Sequence, residues 1–127
     1  MGLEDLKKGI LSTAIENFSL PDFVSEVQGF SLGLRLTHWE TKSYAEHKAV
    51  EMIQETMDGL LDDFVEAYVG YKGGSRPTFT GTITKNPDVD KMITCLKGIG
   101  VKDTSLLNIR DEMLSTCYKL KYLLTLK

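Results

Sequence analysis

Positive charge is in short supply. The chain has 15 Lys and Arg against 18 Asp and Glu, a formal net charge of −3. It has no cationic surplus to hold a phosphate backbone, which excludes an ordinary nucleic-acid binder. Long apolar runs are missing as well. No stretch approaches the roughly twenty residues that span a bilayer. The Met1–Lys8 segment lacks the apolar centre of a secretory leader, so a cytoplasmic protein is expected. Cysteine is limited to Cys95 and Cys117. Each stands alone among apolar residues, without metal-ligand spacing. Both are expected as buried thiols rather than as a disulfide or a nucleophile. There are no repeats and no low-complexity segments. Gly98-Ile99-Gly100 lacks the spacing and preceding strand of a phosphate loop and reads as a turn.

Apolar spacing is almost wholly helical, and 127 residues suffice for one domain with a real core. Residues 3–18 carry Leu6, Ile10, Leu11, Ala14, Ile15 and Phe18 on one side. They form an N-terminal helix, packed on the body or reaching a neighbouring subunit as an arm. Ser19-Leu20-Pro21-Asp22 is a helix start: a capping serine, a first-turn proline and an acid at the positive helix end. The helix from Pro21 to about Lys42 aligns Phe23, Val27, Phe30, Leu34 and His38. Gly29 and Gly33 lie near that stripe and suit a close helix approach. After a short connection a long helix runs from Ser43 to Tyr71 and stops at Gly73-Gly74. Residues 73–87, rich in threonine, glycine and proline, form a crossover loop, so the next helix can run parallel to the one before it. Asp88 to Lys97 is a short helix. Asp103-Thr104-Ser105 starts the last one, with Leu106, Ile109, Met113, Cys117, Leu120 and Leu124 as its stripe. The fold class is all-α, a single domain over 1–127.

Both histidines of the chain, His38 and His47, fall in one stretch. The long helix turns through about 100° per residue. Measured around it from His47, Asp58 falls at about 20°, Glu51 at about 40°, Asp62 at about 60°, Glu55 at about 80° and Glu66 at about 100°. His47 and Glu51 are one turn apart and can share a cation, as can Asp62 and Glu66. Glu51 and Asp62, however, are separated by about 16 Å of helix. Metal–ligand bonds are about 2 Å long, so no single ion joins the two pairs within one chain. If the pairs make one site, a second copy supplies the other half. Two such helices, antiparallel about a two-fold near Thr56–Met57, set His47 and Glu51 of one against Asp62 and Glu66 of the other. The plain alternative is a solvated acidic helix face. Taken alone, His38 reads as a core histidine bonded to a backbone or carboxylate group. Trp39 reads as core or interface packing, Tyr44 and Tyr68 as packing, and Asp58 and Glu55 as solvated or water-bridged.

The His38-Trp39 pair at a helix end, His47 with Glu51, and Asp62 with Glu66 resemble the ferroxidase signature of Dps-type mini-ferritins. The block from His38 to Ala49 also resembles short tailed-phage proteins. The mini-ferritin resemblance implies a ferritin-like four-helix bundle, here with a long crossover loop and an extra N-terminal helix. It implies His38, His47 and Glu51 as ligands from one chain, and Asp62 and Glu66 from its two-fold mate. Each inter-subunit site would hold up to two iron ions, with manganese or zinc as alternatives, and O₂ or peroxide would oxidise Fe(II). The partner implied is the chain itself, as a homodimer or a larger assembly. The competing expectation is a non-enzymatic phage structural or host-interaction protein, or a small-ligand sequesterer, that reuses the bundle.

Overall fold

The computed structural model describes residues 16–127. Among them the regular elements are four helices: α1 (Leu20–Glu40), α2 (Tyr44–Tyr71), α3 (Val89–Lys97) and α4 (Thr104–Leu124). The expected helix over residues 1–18 lies outside the described residues except for its last three. Those three, Glu16–Phe18, are not helical. The reason is local: Ser19 caps α1, its hydroxyl accepting from the Asp22 N–H at 3.3 Å in extended backbone. A residue that caps the next helix cannot also continue the previous one.

Each helix starts on a side-chain acceptor: Ser19, Ser43, Asp88 and Asp103 respectively. At the end of α2, Gly73 and Gly74 take positive φ of 78° and 89°. Their N–H groups close on the carbonyls of Gly70 and Val69. Only glycine adopts that turn without strain.

α1 and α2 run antiparallel, as Phe23 against Phe64 and His38 against His47 show. α4 is antiparallel to α2, because Lys127 reaches Glu46. α3 is antiparallel to α4, with Asp90 on Lys121 and the Leu96 carbonyl on Arg110. α3 is therefore parallel to α2, and the non-helical stretch 72–88 carries the chain back along the bundle. That stretch, not another helix, uses the glycines of α1. A Cβ on Gly33 would sit 2.5 Å from the Pro87 nitrogen, and one on Gly29 would strike the Thr84 carbonyl. The Asn86 N–H donates to the Gly29 carbonyl at 2.9 Å. The close approach expected between helices is thus made by a backbone strap over residues 84–87.

The core is one cluster fed by all four helices. Phe30, Phe64, Met57, Leu96, Leu106, Met113 and Leu120 are almost fully enclosed. Cys117 is buried and Cys95 half-buried, and both are free. Burial pushes the Cys117 thiol up to about 12, and Cys95 shifts in the same direction. Among the described residues no helix is long and apolar enough to cross a membrane.

Candidate metal centre at the first helix corner

Three residues, Thr41–Ser43, separate α1 from α2. Such a turn leaves helix-end donors and carbonyls to be satisfied from nearby. The Thr41 hydroxyl accepts from the Ser43 N–H at 3.1 Å and donates to Glu46 at 2.6 Å. Lys127 closes on the other Glu46 oxygen at 2.8 Å. Lys127 first and Thr41 second hold the Glu46 carboxyl below its usual range.

The two histidines knit the same corner. His38 Nδ1 lies 2.8 Å from the His47 carbonyl, and His47 Nδ1 lies 2.7 Å from the His38 carbonyl. A carbonyl can only accept, so both Nδ1 atoms carry protons and donate. In the neutral ring that leaves Nε2 with a free lone pair on each histidine. The rings stack at 3.7 Å between centroids, tilted by 16°. One turn along α2, Glu51 joins them: one ligand atom from each of His38, His47 and Glu51 comes within 4.8 Å of the other two. All three residues are half-buried. The Lys48 ammonium stands 3.7 Å from Glu51, an exposed pair worth little against a dication.

Asp62 and Glu66 form a second group on the same helix, and their carboxylate oxygens come within 4.8 Å of each other and of Asp63. All three are exposed. Asp63 was absent from the sequence-predicted set, because it lies on the far side of the His47 azimuth. Within one chain the two groups stay apart. They sit on one straight helix, with about 16 Å of rise between Glu51 and Asp62.

A polar network between the two groups also escaped the sequence reading. Arg35 donates to Gln54 at 2.7 Å. Gln54 donates to Asp58 at 2.5 Å and to Ser31 at 3.2 Å, and Ser31 donates to Asp58 at 2.6 Å. Gln54 and Ser31 are buried, so their polar atoms need these partners. Asp58, expected as solvated, is instead a half-buried acceptor that locks α1 to α2. Isolated Ser, Gln and Arg side chains carry no periodic signal, so only packing reveals such a set.

Two aromatic expectations are narrowed, with interface packing left open for Trp39. Trp39 is 65% exposed and Tyr44 74% exposed, so neither is packed in the core. Arg35 lies over the Trp39 ring at 5.6 Å, which places that indole on the side of α1 bordering α2. Tyr68 packs as expected, against Phe18 and Phe64.

Residues 38–124 match a family of unknown function, DUF5856. The chain belongs to that family. The matched region opens at His38, so it contains both candidate ligand groups of this DUF5856 chain. The chain is also similar to the "Uncharacterized 14.6 kDa protein in mobD-ri intergenic region" of Enterobacteria phage T4. That relative is 31% identical over 96 residues, covering 71% of this chain and 75% of its own length. No solved structure matches the chain.

Proposed function

We propose that this chain is a ferritin-like, Dps-like metal-binding protein of phage origin. In this reading it takes up Fe(II) at a site shared between two copies and passes its electrons to O₂ or peroxide. The observation that carries the reading is the state of the two imidazoles. Metal-ligating histidines generally donate their second ring nitrogen to a carbonyl or carboxylate, which fixes the tautomer and aims the free nitrogen. His38 and His47 both do so, with Glu51 beside them. Imidazole and carboxylate donors suit Fe(II), Mn(II) and Zn(II).

Ring geometry supports two ions rather than one. An imidazole lone pair lies in the plane of its ring. Two rings stacked at 3.7 Å aim at separate points, not at one. Glu51 would supply the carboxylate beside the two imidazoles. Asp62 and Glu66 of a second copy complete the set. Iron supplies the electron that is lost; His38, His47 and Glu51 orient it, and their half-burial limits water.

Features of the α1–α2 face support the two-fold. Gly59 presents a bare spot on α2, with no atom of the described residues within 4 Å of where a Cβ would be, so another backbone can approach. Leu32 and Trp39 are exposed on α1. Lys48 lies toward one end of α2 and Asp62, Asp63 and Glu66 toward the other, while Arg35 sits near mid-length against Gln54. An antiparallel mate brings Lys48 toward the Asp62–Glu66 group, and the carboxylates of Glu51, Asp62 and Glu66 that also meet there call for a cation between them.

A second reading has its own observation. The same reciprocal carbonyl bonds also make a clamp at a helix corner, flanked by exposed Trp39 and Tyr44. On that reading the protein is a non-enzymatic phage structural or host-interaction module.

The test is Fe(II) added aerobically to metal-stripped protein, with near-UV iron–oxo absorbance followed beside Glu51→Ala. His47→Ala and Asp62→Ala, each inactive alone, are then mixed. Random exchange makes about half the dimers mixed, each with one intact site of two, so about a quarter of sites return. Absence of both absorbance and thermal stabilisation by Fe, Mn or Zn rejects the metal reading. Absence of recovery on mixing, despite exchange, rejects the shared site.

A further inference from the structure

α2 is acidic over most of its middle. From Lys48 to Glu66 it carries one ammonium against the carboxylates of Glu51, Glu55, Asp58, Asp62, Asp63 and Glu66. Ser31 and Gln54 donate to Asp58, and Lys48 stands 3.7 Å from Glu51. Among the described residues the other four carboxylates have no ion-pair partner. Arg35, held against Gln54, adds one positive charge from α1. Apolar surface does little to offset this. Among the exposed residues of α2 from Lys48 to Glu66, Met52 is the single large apolar one, with Leu32 and Trp39 flanking on α1.

An antiparallel mate concentrates this charge. Under a two-fold between Thr56 and Met57, Glu51 stands level with Asp62 of the second copy, His47 with its Glu66, and Glu55 with its Asp58. Each half of the interface then gathers Glu51 and the second copy's Asp62 and Glu66, with Lys48 as the one ammonium and two neutral imidazoles beside them. Near the axis the two Glu55 side chains stand within about 4.5 Å of each other in height. Like charges set against each other oppose association. A divalent cation changes the sign of that balance, because it adds two positive charges where three negative ones meet.

We propose that the cation is the joint: metal-free chains stay apart, and Fe(II), Mn(II) or Zn(II) pairs them. This inference rests on the shared-site reading above and adds its regulation. Within one chain His38, His47 and Glu51 offer an ion three donors, and Asp62 with Glu66 offers only exposed carboxylates. Neither half surrounds an ion, whereas the two together do. An ion that binds the complete site more tightly than either half shifts the chains toward the dimer by that same difference. With two sites per dimer and metal at ten times its Kd, the dimer dissociation constant falls about a hundredfold. Metal supply, and not chain concentration alone, then decides when the complete site exists. Mixed dimers in the exchange experiment are favoured for the same reason, so recovery there rises from about a quarter of sites toward about half.

Sedimentation equilibrium of the full chain tests this, in EDTA and across a series of Mn(II), Zn(II) or anaerobic Fe(II), with NaCl alone as the control for plain screening. The expected result is a monomer in EDTA and a dimer with metal, the association constant rising with about the square of metal concentration or more steeply. Among the described residues Glu66 is exposed and unpaired, so Glu66→Gln removes a carboxylate without breaking an ion pair in the fold. It should raise metal-free association and flatten the metal response. One dimer constant in EDTA and in metal overturns the coupling and leaves the two-fold standing. Pairing by NaCl to the extent that metal achieves also overturns it, as does an unchanged metal response in Glu66→Gln. Metal binding, read as a thermal shift, by a chain that stays monomeric overturns the shared site itself. Neither a thermal shift nor a dimer with any of the three metals overturns the metal reading.

Discussion

Replacing His47 separates the proposed metal ligand from the helix clamp, because two substitutions remove different parts of it. His47→Asn puts an amide nitrogen about where Nδ1 stood, so it can still donate to the His38 carbonyl, now 2.7 Å from Nδ1. It deletes the rest of the ring, Nε2 included. His47→Ala deletes both. The carbonyl hydrogen bond contributes about 1 kcal/mol net. The 3.7 Å stack on His38 contributes about 0.5–1 kcal/mol. Alanine regains a few tenths through its helix propensity. Metal-free His47→Ala should therefore lose about 1–2 kcal/mol and His47→Asn about 0.5–1 kcal/mol. By thermal melting this is roughly 3–8 °C against roughly 2–4 °C. Metal should not distinguish the two. Wild type at a hundredfold excess over Kd gains about 2.7 kcal/mol, roughly ten degrees, and neither variant should gain it. Melting with and without Zn(II) or Mn(II) reads all of these quantities. A full metal shift in His47→Asn would remove His47 as a ligand. Equal stability of the two metal-free variants would remove the clamp.

Two further outcomes follow from packing. Gly33→Ala should destabilise the fold by about 1–3 kcal/mol, because the new methyl meets strap backbone at 2.5–2.9 Å. In dilute, monomeric protein Gly59→Ala should stabilise by up to about 1 kcal/mol, since among the described residues nothing lies within 4 Å. The same change should weaken the proposed dimer, and urea melts with sedimentation check both signs. Cys117 should resist thiol reagents at pH 8 until the protein is unfolded. Its thiol is raised from 9.0 to about 12 when folded. Above pH 9 the unfolded chain loses that proton and the folded chain keeps it. Stability should therefore fall as pH rises from about 9 toward 12, and a Cys117→Ala chain should lack that component in alkaline melts.

All-helical architecture was written in local terms. Apolar residues three and four apart, serines and aspartates at starts, and a Gly-Gly stop depend only on neighbours in the chain, so periodicity reads them directly. The apolar stripe was read through Phe18, whereas Glu16–Phe18 are not helical and Ser19 caps α1. The pairing of His47 with Glu51, and of Asp62 with Glu66, was legible because helix geometry sets their spacing and azimuth. So was their separation, since about 16 Å of helix lies between Glu51 and Asp62. Tertiary structure alone decided what depends on two helices meeting at a given register. The reciprocal histidine bonds need α1 and α2 to turn within three residues at one height. The Arg35–Gln54–Asp58–Ser31 network needs their faces to meet, and the glycines of α1 receive a strap rather than a helix because the crossover passes there. Spacing along a chain is a one-dimensional property; which buried polar atom finds which partner is set by packing in three dimensions.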